Sequence, residues 1–162
     1  RIMLTDGFNH VAVLTGDMDR FIDFYVATFG AEVAVDHVEE GRPRFCILSV
    51  GPVAELNVFE IDGNEEHRKQ TPMFGRGRLD QLALRAADID AFVEIRSRLR
   101  DVGASDGYVS DFGPILSLFY RDPDGLESEL VVENPDAVPG IYNGPGTPAA
   151  RFAHDMPEAR TK

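Results

Sequence analysis

Four side chains in this 162-residue sequence combine ligand chemistry with regular spacing: His10, Glu55, Gln81 and Glu129. One imidazole, one amide and two carboxylates supply one nitrogen and three oxygen donors. Such a set suits a single divalent ion (zinc, nickel, cobalt or manganese, with iron ranked behind them) and leaves positions for water or substrate. Two carboxylates also allow a division of labour in proton transfer, with Glu55 expected as the base and Glu129 as its counterpart. Taken singly the four are unremarkable. A histidine at a strand start is commonly structural, a carboxylate at a strand end is commonly solvated, and Gln is a better hydrogen-bonder than ligand. Only their coincidence at matching places carries the expectation.

That coincidence comes from an internal repeat. Residues 10–25 and 81–96 read as two copies of one segment, in which Ala12 pairs with Ala83, Asp17 with Asp88, Asp19 with Asp90 and Phe21 with Phe92. A repeat at fixed offset implies two similar modules, with a shared cleft where they face each other. In the first module, Phe8 to Leu14 reads as a strand and Asp17 as a helix N-cap. Met18, Phe21, Ile22, Tyr25 and Phe29 follow at helical spacing until Gly30 ends the helix. Strands are expected over Glu32 to Val38, Pro43 to Val50 and Glu55 to Ile61, giving β-α-β-β-β. Residues 62–78 form a polar linker whose Gly-Arg-Gly lacks the context of a phosphate loop.

The second module, 79–134, repeats the order. Leu79 to Arg85 is a strand, Asp88 caps a helix stopped by Gly103, and strands follow near Gly107 to Phe112, Ile115 to Arg121 and Leu126 to Glu133. Asp-Pro-Asp-Gly at 122–125 makes the last hairpin turn. Residues 135–162 are rich in Pro and Gly, lack periodicity, and are expected to run extended over the domain or a partner and to fray near Lys162.

Strand alternation then sorts the side chains. His10, Ala12 and Leu14 share one face of the first strand, and Glu55, Asn57 and Phe59 share one face of the fourth. Gln81, Ala83 and Arg85 share a face, as do Glu127, Glu129 and Val131. The offset from His10 to Gln81 is 71 and from Glu55 to Glu129 is 74, so each module places an imidazole or amide early and a carboxylate late. Arg85, Phe59 and Asn57 are the expected substrate contacts; Arg85 reads equally as a partnered structural arginine, and Phe59 as core. His37, His67 and His154 stand in turn, linker and tail contexts, with His154 the best placed of the three to reach a site.

Composition excludes more than it assigns. A net charge of -12 argues against nucleic acid and anionic membranes as partners, and would suit a cationic ligand. No apolar run is long enough to span a membrane, and no leader pattern is visible. A single cysteine, Cys46, permits no internal disulfide and fits a reducing cytoplasm. Set in Arg-Phe-Cys-Ile-Leu, it reads as a small buried hydrophobe.

The doubled β-α-β-β-β order, the His-x-Ala opening, the acidic helix starts and the ending Asp-Pro-Asp-Gly-x-x-x-Glu-Leu resemble the vicinal oxygen chelate superfamily. That group includes glyoxalase I, bleomycin-resistance proteins and extradiol dioxygenases. The resemblance covers about residues 6–134, and 122–130 is its most specific part. It implies an α+β fold in which tandem modules form a cupped, barrel-like mixed sheet, expected in a homodimer. By position it carries the family's ligands onto His10, Glu55, Gln81 and Glu129, a set similar to the glyoxalase I branch. Dioxygenase and epimerase patterns want a second histidine where Gln81 stands. The implied activity is that of a metal-dependent lyase or isomerase acting on a small α-oxygenated substrate or its thiol adduct. Two alternatives stay open: a metal-free, ligand-sequestering protein of the bleomycin-resistance type, and an extradiol-type dioxygenase.

Overall fold

The structure, a computed structural model, describes residues 4–5, 7–63, 65, 71 and 74–137, and the backbone of strands at 150–155 and 158–161. The chain divides into two units, 1–69 and 70–162.

In the first unit β1 (His10–Thr15) leads to α1 (Met18–Phe29), β2 (Glu32–His37), β3 (Phe45–Gly51) and β4 (Ala54–Glu60). Asp17 accepts a bond from the Arg20 amide, satisfying one of the free donors of the first turn. A second cap comes from far along the chain: Glu60 Oε1 accepts the Met18 amide at 2.7 Å, which ties the helix start to β4 and suits the positive end of the helix dipole. Gly30, at φ +69°, closes the helix in the left-handed region and donates its amide to the Val26 carbonyl. The strands are ordered β1-β4-β3-β2, with β1 parallel to β4 and the other pairs antiparallel.

Alternation decides what this sheet buries. Leu56 and Val58 of β4 and Cys46 and Leu48 of β3 join Met18, Phe21 and Tyr25 of α1 in the core. Each large apolar side chain so buried contributes about 1.5–3 kcal/mol. Burial pushes the Cys46 thiol up to about 11, so it stays protonated and inert near neutrality, as a small hydrophobe should.

The second unit contains β5 (Ala83–Arg85), α2 (Ile89–Asp101), β6 (Tyr108–Asp111), β7 (Ile115–Arg121), β8 (Glu127–Glu133), β9 (Ala150–Asp155) and β10 (Glu158–Thr161). Asp88 caps α2 by accepting the Ala91 amide at 2.8 Å, as Asp17 caps α1. Strand order is β10-β9-β6-β7-β8-β5, with β5 parallel to β8 and the rest antiparallel. Phe92, Leu99, Val109, Leu118, Tyr120 and Leu130 form its core.

The fold is thus α+β, with both modules in the expected order. Two differences stand out. The strand expected from Leu79 begins only at Ala83, and Leu79 is 81% exposed. The tail supplies two strands that were not expected, and β9 pairs with β6 through Tyr108↔Ala153 and Val109↔Phe152. Among the described residues no helix is long and apolar enough to cross a membrane.

Among the described residues, the turn before β8 carries the one carboxyl that is strongly displaced. Asp122 is 7% exposed, and its Oδ1 accepts the amides of Asp124 and Leu126, each at 2.9 Å. Desolvation outweighs those bonds and pushes its pKa up to about 6, with the Asp124 charge adding to the rise.

Candidate functional site

In the first module the expected polar row is present on one face of the sheet. His10 and Glu55 are direct partners across the parallel β1/β4 ladder, Ala12 faces Asn57, and Leu14 faces Phe59. Neighbouring strands lie about 4.8 Å apart, so the His10 and Glu55 side chains rise side by side. Phe59 is also the partner of Phe45 on β3, with ring centroids 4.9 Å apart. The row therefore ends in an aromatic pair, half-buried and available as an apolar wall.

His10 is exposed, and its Nδ1 lies 2.8 Å from Asn9 Oδ1. Facing an amide oxygen, Nδ1 is placed to donate, and in the tautomer that does so the lone pair stands on Nε2. This is how a ligating histidine is usually oriented, one nitrogen tied to an acceptor and the other left for an ion. Glu55 is half-buried, and its carboxylate has no hydrogen-bond or ion-pair partner among the described residues. Asn57 Oδ1 is buried and likewise without a hydrogen-bond partner among the described residues. An unsatisfied buried acceptor of this kind costs about 1–3 kcal/mol, so it calls for an explanation.

The second module is built differently. Glu129 is 7% exposed, yet no Lys, Arg or His among the described residues pairs with it. Neutral donors hold it instead: Gln81 Nε2 donates to Oε2 at 2.5 Å, and Ser117 Oγ donates to Oε1. Among the described residues no hydrogen bond engages the Gln81 amide oxygen. Arg76 Nη2 meets Glu127 Oε2 at 2.6 Å, and Arg76 also donates to the Thr71 and Asp80 carbonyls. Arg85 pairs with Glu133 in a largely exposed ion pair, which is the partnered reading of that residue.

Strand register corrects one equivalence taken from spacing. Ala12 and Ala83 correspond in the repeat; Ala12 faces Asn57, whereas Ala83 faces Glu129. The backbone bonds agree, since the Glu55 amide donates to the Asn9 carbonyl and the Glu129 amide to the Leu82 carbonyl. The first-module counterpart of Glu129 is therefore Asn57, and Glu55 corresponds to Glu127. Because 55 and 57 differ by two positions, both remain on the face that carries His10.

The structure thus brings His10 to Glu55 within one unit and Gln81 to Glu129 within the other. No group of three or more His, Cys, Asp or Glu side chains gathers among the described residues. Within each unit the donor types are ones that a divalent ion accepts: the His10 imidazole beside the Glu55 carboxylate in the first, and the Glu129 carboxylate beside the Gln81 amide in the second. Asn9 and Ser117, which orient His10 and Glu129, were not anticipated; the only sequence signal for Ser117 is one hydroxyl inside the apolar run Ile115 to Phe119. His37 lies at the end of β2 beside Glu39, the side chain of His154 on β9 is outside the described residues, and so is His67.

Residues 7–130 match the family described as the Glyoxalase/Bleomycin resistance protein/Dioxygenase superfamily. A lactoylglutathione lyase of Arabidopsis thaliana is 28% identical over 134 residues, which span 82% of this chain and 46% of that protein, so the chain covers about half of that relative's length. A 2-epi-5-epi-valiolone epimerase of an Actinomyces species is 27% identical over 142 residues, covering 76% of this chain and 77% of that one. The fold matches a fosfomycin resistance protein of Listeria monocytogenes solved with Mn(II) and sulfate, with a TM-score of 0.58 at 15% identity over 82% of this chain and 97% of that chain.

Proposed function

The chain belongs to the Glyoxalase/Bleomycin resistance protein/Dioxygenase superfamily, and from that premise we propose that it is a glyoxalase-like, metal-dependent lyase or isomerase. Its substrate would be a small α-oxygenated carbonyl compound or a thiol adduct of one. The observation that supports this reading best is Glu129, a buried carboxylate oriented by Ser117 and Gln81 and without a cationic partner among the described residues. Burying such a charge is costly unless it is paired or coordinates a metal. The residues proposed to hold the ion are His10, Glu55, Gln81 and Glu129, the first two adjoining on one sheet and the last two on the other. The Mn(II) in the Listeria relative and the lyase and epimerase names of the others point the same way.

Once bound, the ion supplies Lewis-acid polarisation of neighbouring substrate oxygens. The proton chemistry belongs to the chain. Glu55 is untethered and half-buried beside His10, so it can turn toward a carbon-bound proton, take it and return it. Glu129 is held on both oxygens, which suits a fixed role and disfavours one that requires rotation. The Phe45–Phe59 pair gives the substrate an apolar wall and limits water at the reacting carbon. Arg85 would hold an anionic group only by giving up Glu133.

Metal content per chain, measured on protein purified without chelator or tag metal beside the His10→Ala variant, tests the reading. Near one equivalent in the parent, lost in the variant, is expected, together with proton exchange into an α-hydroxy-carbonyl substrate. Absence of metal in the parent after incubation with Mn(II), Zn(II), Ni(II) and Co(II) would overturn it and favour metal-free ligand sequestration.

A further inference from the structure

We propose that a recess at the Arg121 end of β7 binds the carboxylate or phosphate group of a small organic molecule. The cavity has a volume of about 590 Å³, and its walls, all from the second unit, include Ser105, Asp106, Ser110, Phe119, Arg121 and Glu127. Small-molecule sites usually enclose roughly 300–1,000 Å³. Ser110 faces Ser117, Phe119 faces Glu129 and Arg121 faces Glu127, so these side chains share the face that carries Glu129.

Three observations set the charge that the recess prefers. The Arg121 guanidinium makes no hydrogen bond or ion pair among the described residues, although Glu127 stands directly across the ladder. Opposite charges so placed normally join. Here Arg76 Nη2 already holds Glu127 Oε2 at 2.6 Å, which leaves the Arg121 charge to the cavity. Ser110 is 5% exposed, and its hydroxyl has no hydrogen-bond partner among the described residues. A buried hydroxyl is expected to be paired, and one in a cavity wall can donate to a ligand oxygen. Other polar walls are already engaged: Asp106 accepts the Tyr108 amide at 2.9 Å, and Ser105 Oγ donates to the Phe119 carbonyl at 2.6 Å. A guanidinium and a hydroxyl are thus left to donate, a pair suited to an oxyanion, with the half-buried Phe119 ring beside them for an apolar body.

The spacing says what such a molecule looks like. Phe119 is directly opposite Glu129, and Arg121 lies two residues further along β7, about 7 Å away. A ligand anchored at Arg121 therefore crosses the Phe119 ring to bring its other end beside Glu129. The substrate then carries its anionic group at one end and its oxygenated carbons at the other. The anion site itself needs no metal; the assignment of the reacting end rests on the functional reading above.

Calorimetry and amide NMR titrations of the full chain in EDTA test the site with benzoate, phenyl phosphate and the neutral benzamide. At least one of the two anions should shift the Ser110 and Arg121 amides and bind about tenfold or more tightly than benzamide, through charge-assisted bonds to the guanidinium. The tighter of the two anions identifies the group that the recess takes. Arg121→Gln should abolish the preference over benzamide. Glu127→Gln removes the competing carboxylate and should tighten anion binding severalfold, a gain that a damaged fold cannot produce, so it carries the test if Arg121→Gln fails to fold. Benzamide binding as tightly as both anions, benzoate binding unchanged in Arg121→Gln, or no binding of either anion would overturn the proposal. A chain that binds benzoate in EDTA but takes up no Mn(II) keeps this site and loses the metal-dependent function.

Discussion

Glu55 and Glu127 occupy the same register position in their two modules, yet their surroundings are opposite. Glu127 is clamped by Arg76, and one step along the same face Glu129 is held by Gln81 and Ser117. Glu55 has no partner among the described residues, and one step along its face Asn57 presents a buried, unsatisfied oxygen. A repeated fold has therefore been used twice, once with its polar row satisfied internally and once with that row left open. In the second module Glu127 and Glu129 are held by Arg76, Gln81 and Ser117, whereas the described residues offer no such partners to Glu55 and Asn57 Oδ1 of the first. A purely structural repeat would have satisfied both rows, because leaving polar groups unpaired costs stability in each.

The strongest way to break this comparison is Glu55→Gln. If the open row is the reactive one, proton exchange should fall by about 10²–10⁴-fold, the usual contribution of a positioned general base. The melting temperature should hardly change, since the carboxylate makes no hydrogen bond or ion pair among the described residues. Intact exchange in this variant would remove Glu55 as the base and shift the role to the satisfied module.

Asp122→Asn tests the stability side of the same contrast, within the second module. In the folded chain Asp122 titrates at about 6 rather than at 3.8, so the native state binds its proton more tightly than the unfolded state does. Stability contributed by the protonated carboxyl is therefore complete below about pH 4 and is lost as pH rises towards 6 and beyond. That gap in pKa corresponds to about 3 kcal/mol. The asparagine keeps an oxygen for the Asp124 and Leu126 amides without the buried charge. It should exceed the parent in urea-denaturation stability at pH 8 and match it near pH 4; equal stability at both would show that Asp122 is not desolvated.

Much of this was legible from sequence because it is local. Asp17 and Asp88 announce the helix starts, Gly30 a helix end, and Asp-Pro-Asp-Gly followed by Glu-Leu fixes Glu129 on the last strand of its module. What could not be read is what depends on distant pairing. Counting along the chain from His10 to Glu55 and from Gln81 to Glu129 runs through loops of unequal length, so the offsets of 71 and 74 conceal a slip that only the β1/β4 and β5/β8 ladders reveal. The slip is of two positions and so preserves the face, which leaves Glu55 and Asn57 on the same side of the sheet as His10. Strand β9 was hidden for the same reason: its Pro- and Gly-rich approach offers no pattern, and its order comes from pairing with β6.

Ser117→Ala sharpens the contrast on a smaller scale. Removing the hydroxyl leaves Glu129 Oε1 buried with one donor fewer, and hydrogen bonds to charged groups contribute about 1.5–3 kcal/mol. We expect a loss towards the lower end of that range, with a parallel weakening of metal binding as the carboxylate loses its orientation. A loss of stability with unchanged metal affinity would mean that Glu129 is a structural carboxylate and that the second module supports no ion.

Arg85→Ala has the smallest expected effect and separates two readings of one residue. Its pair with Glu133 is mostly exposed on both sides, and such surface pairs are worth about 0–1 kcal/mol. The melting temperature should therefore stay near that of the parent. If Arg85 does no more than meet Glu133, KM for an anionic substrate should also stay unchanged. If it instead leaves Glu133 to hold the substrate, KM should rise severalfold while kcat is kept, the signature of lost uniform binding. Glu133→Gln then provides the decisive partner measurement. Freeing the arginine should lower KM if it competes for substrate and do nothing if it does not, so the second module's satisfied surface would prove either inert throughout or held in reserve at this one position.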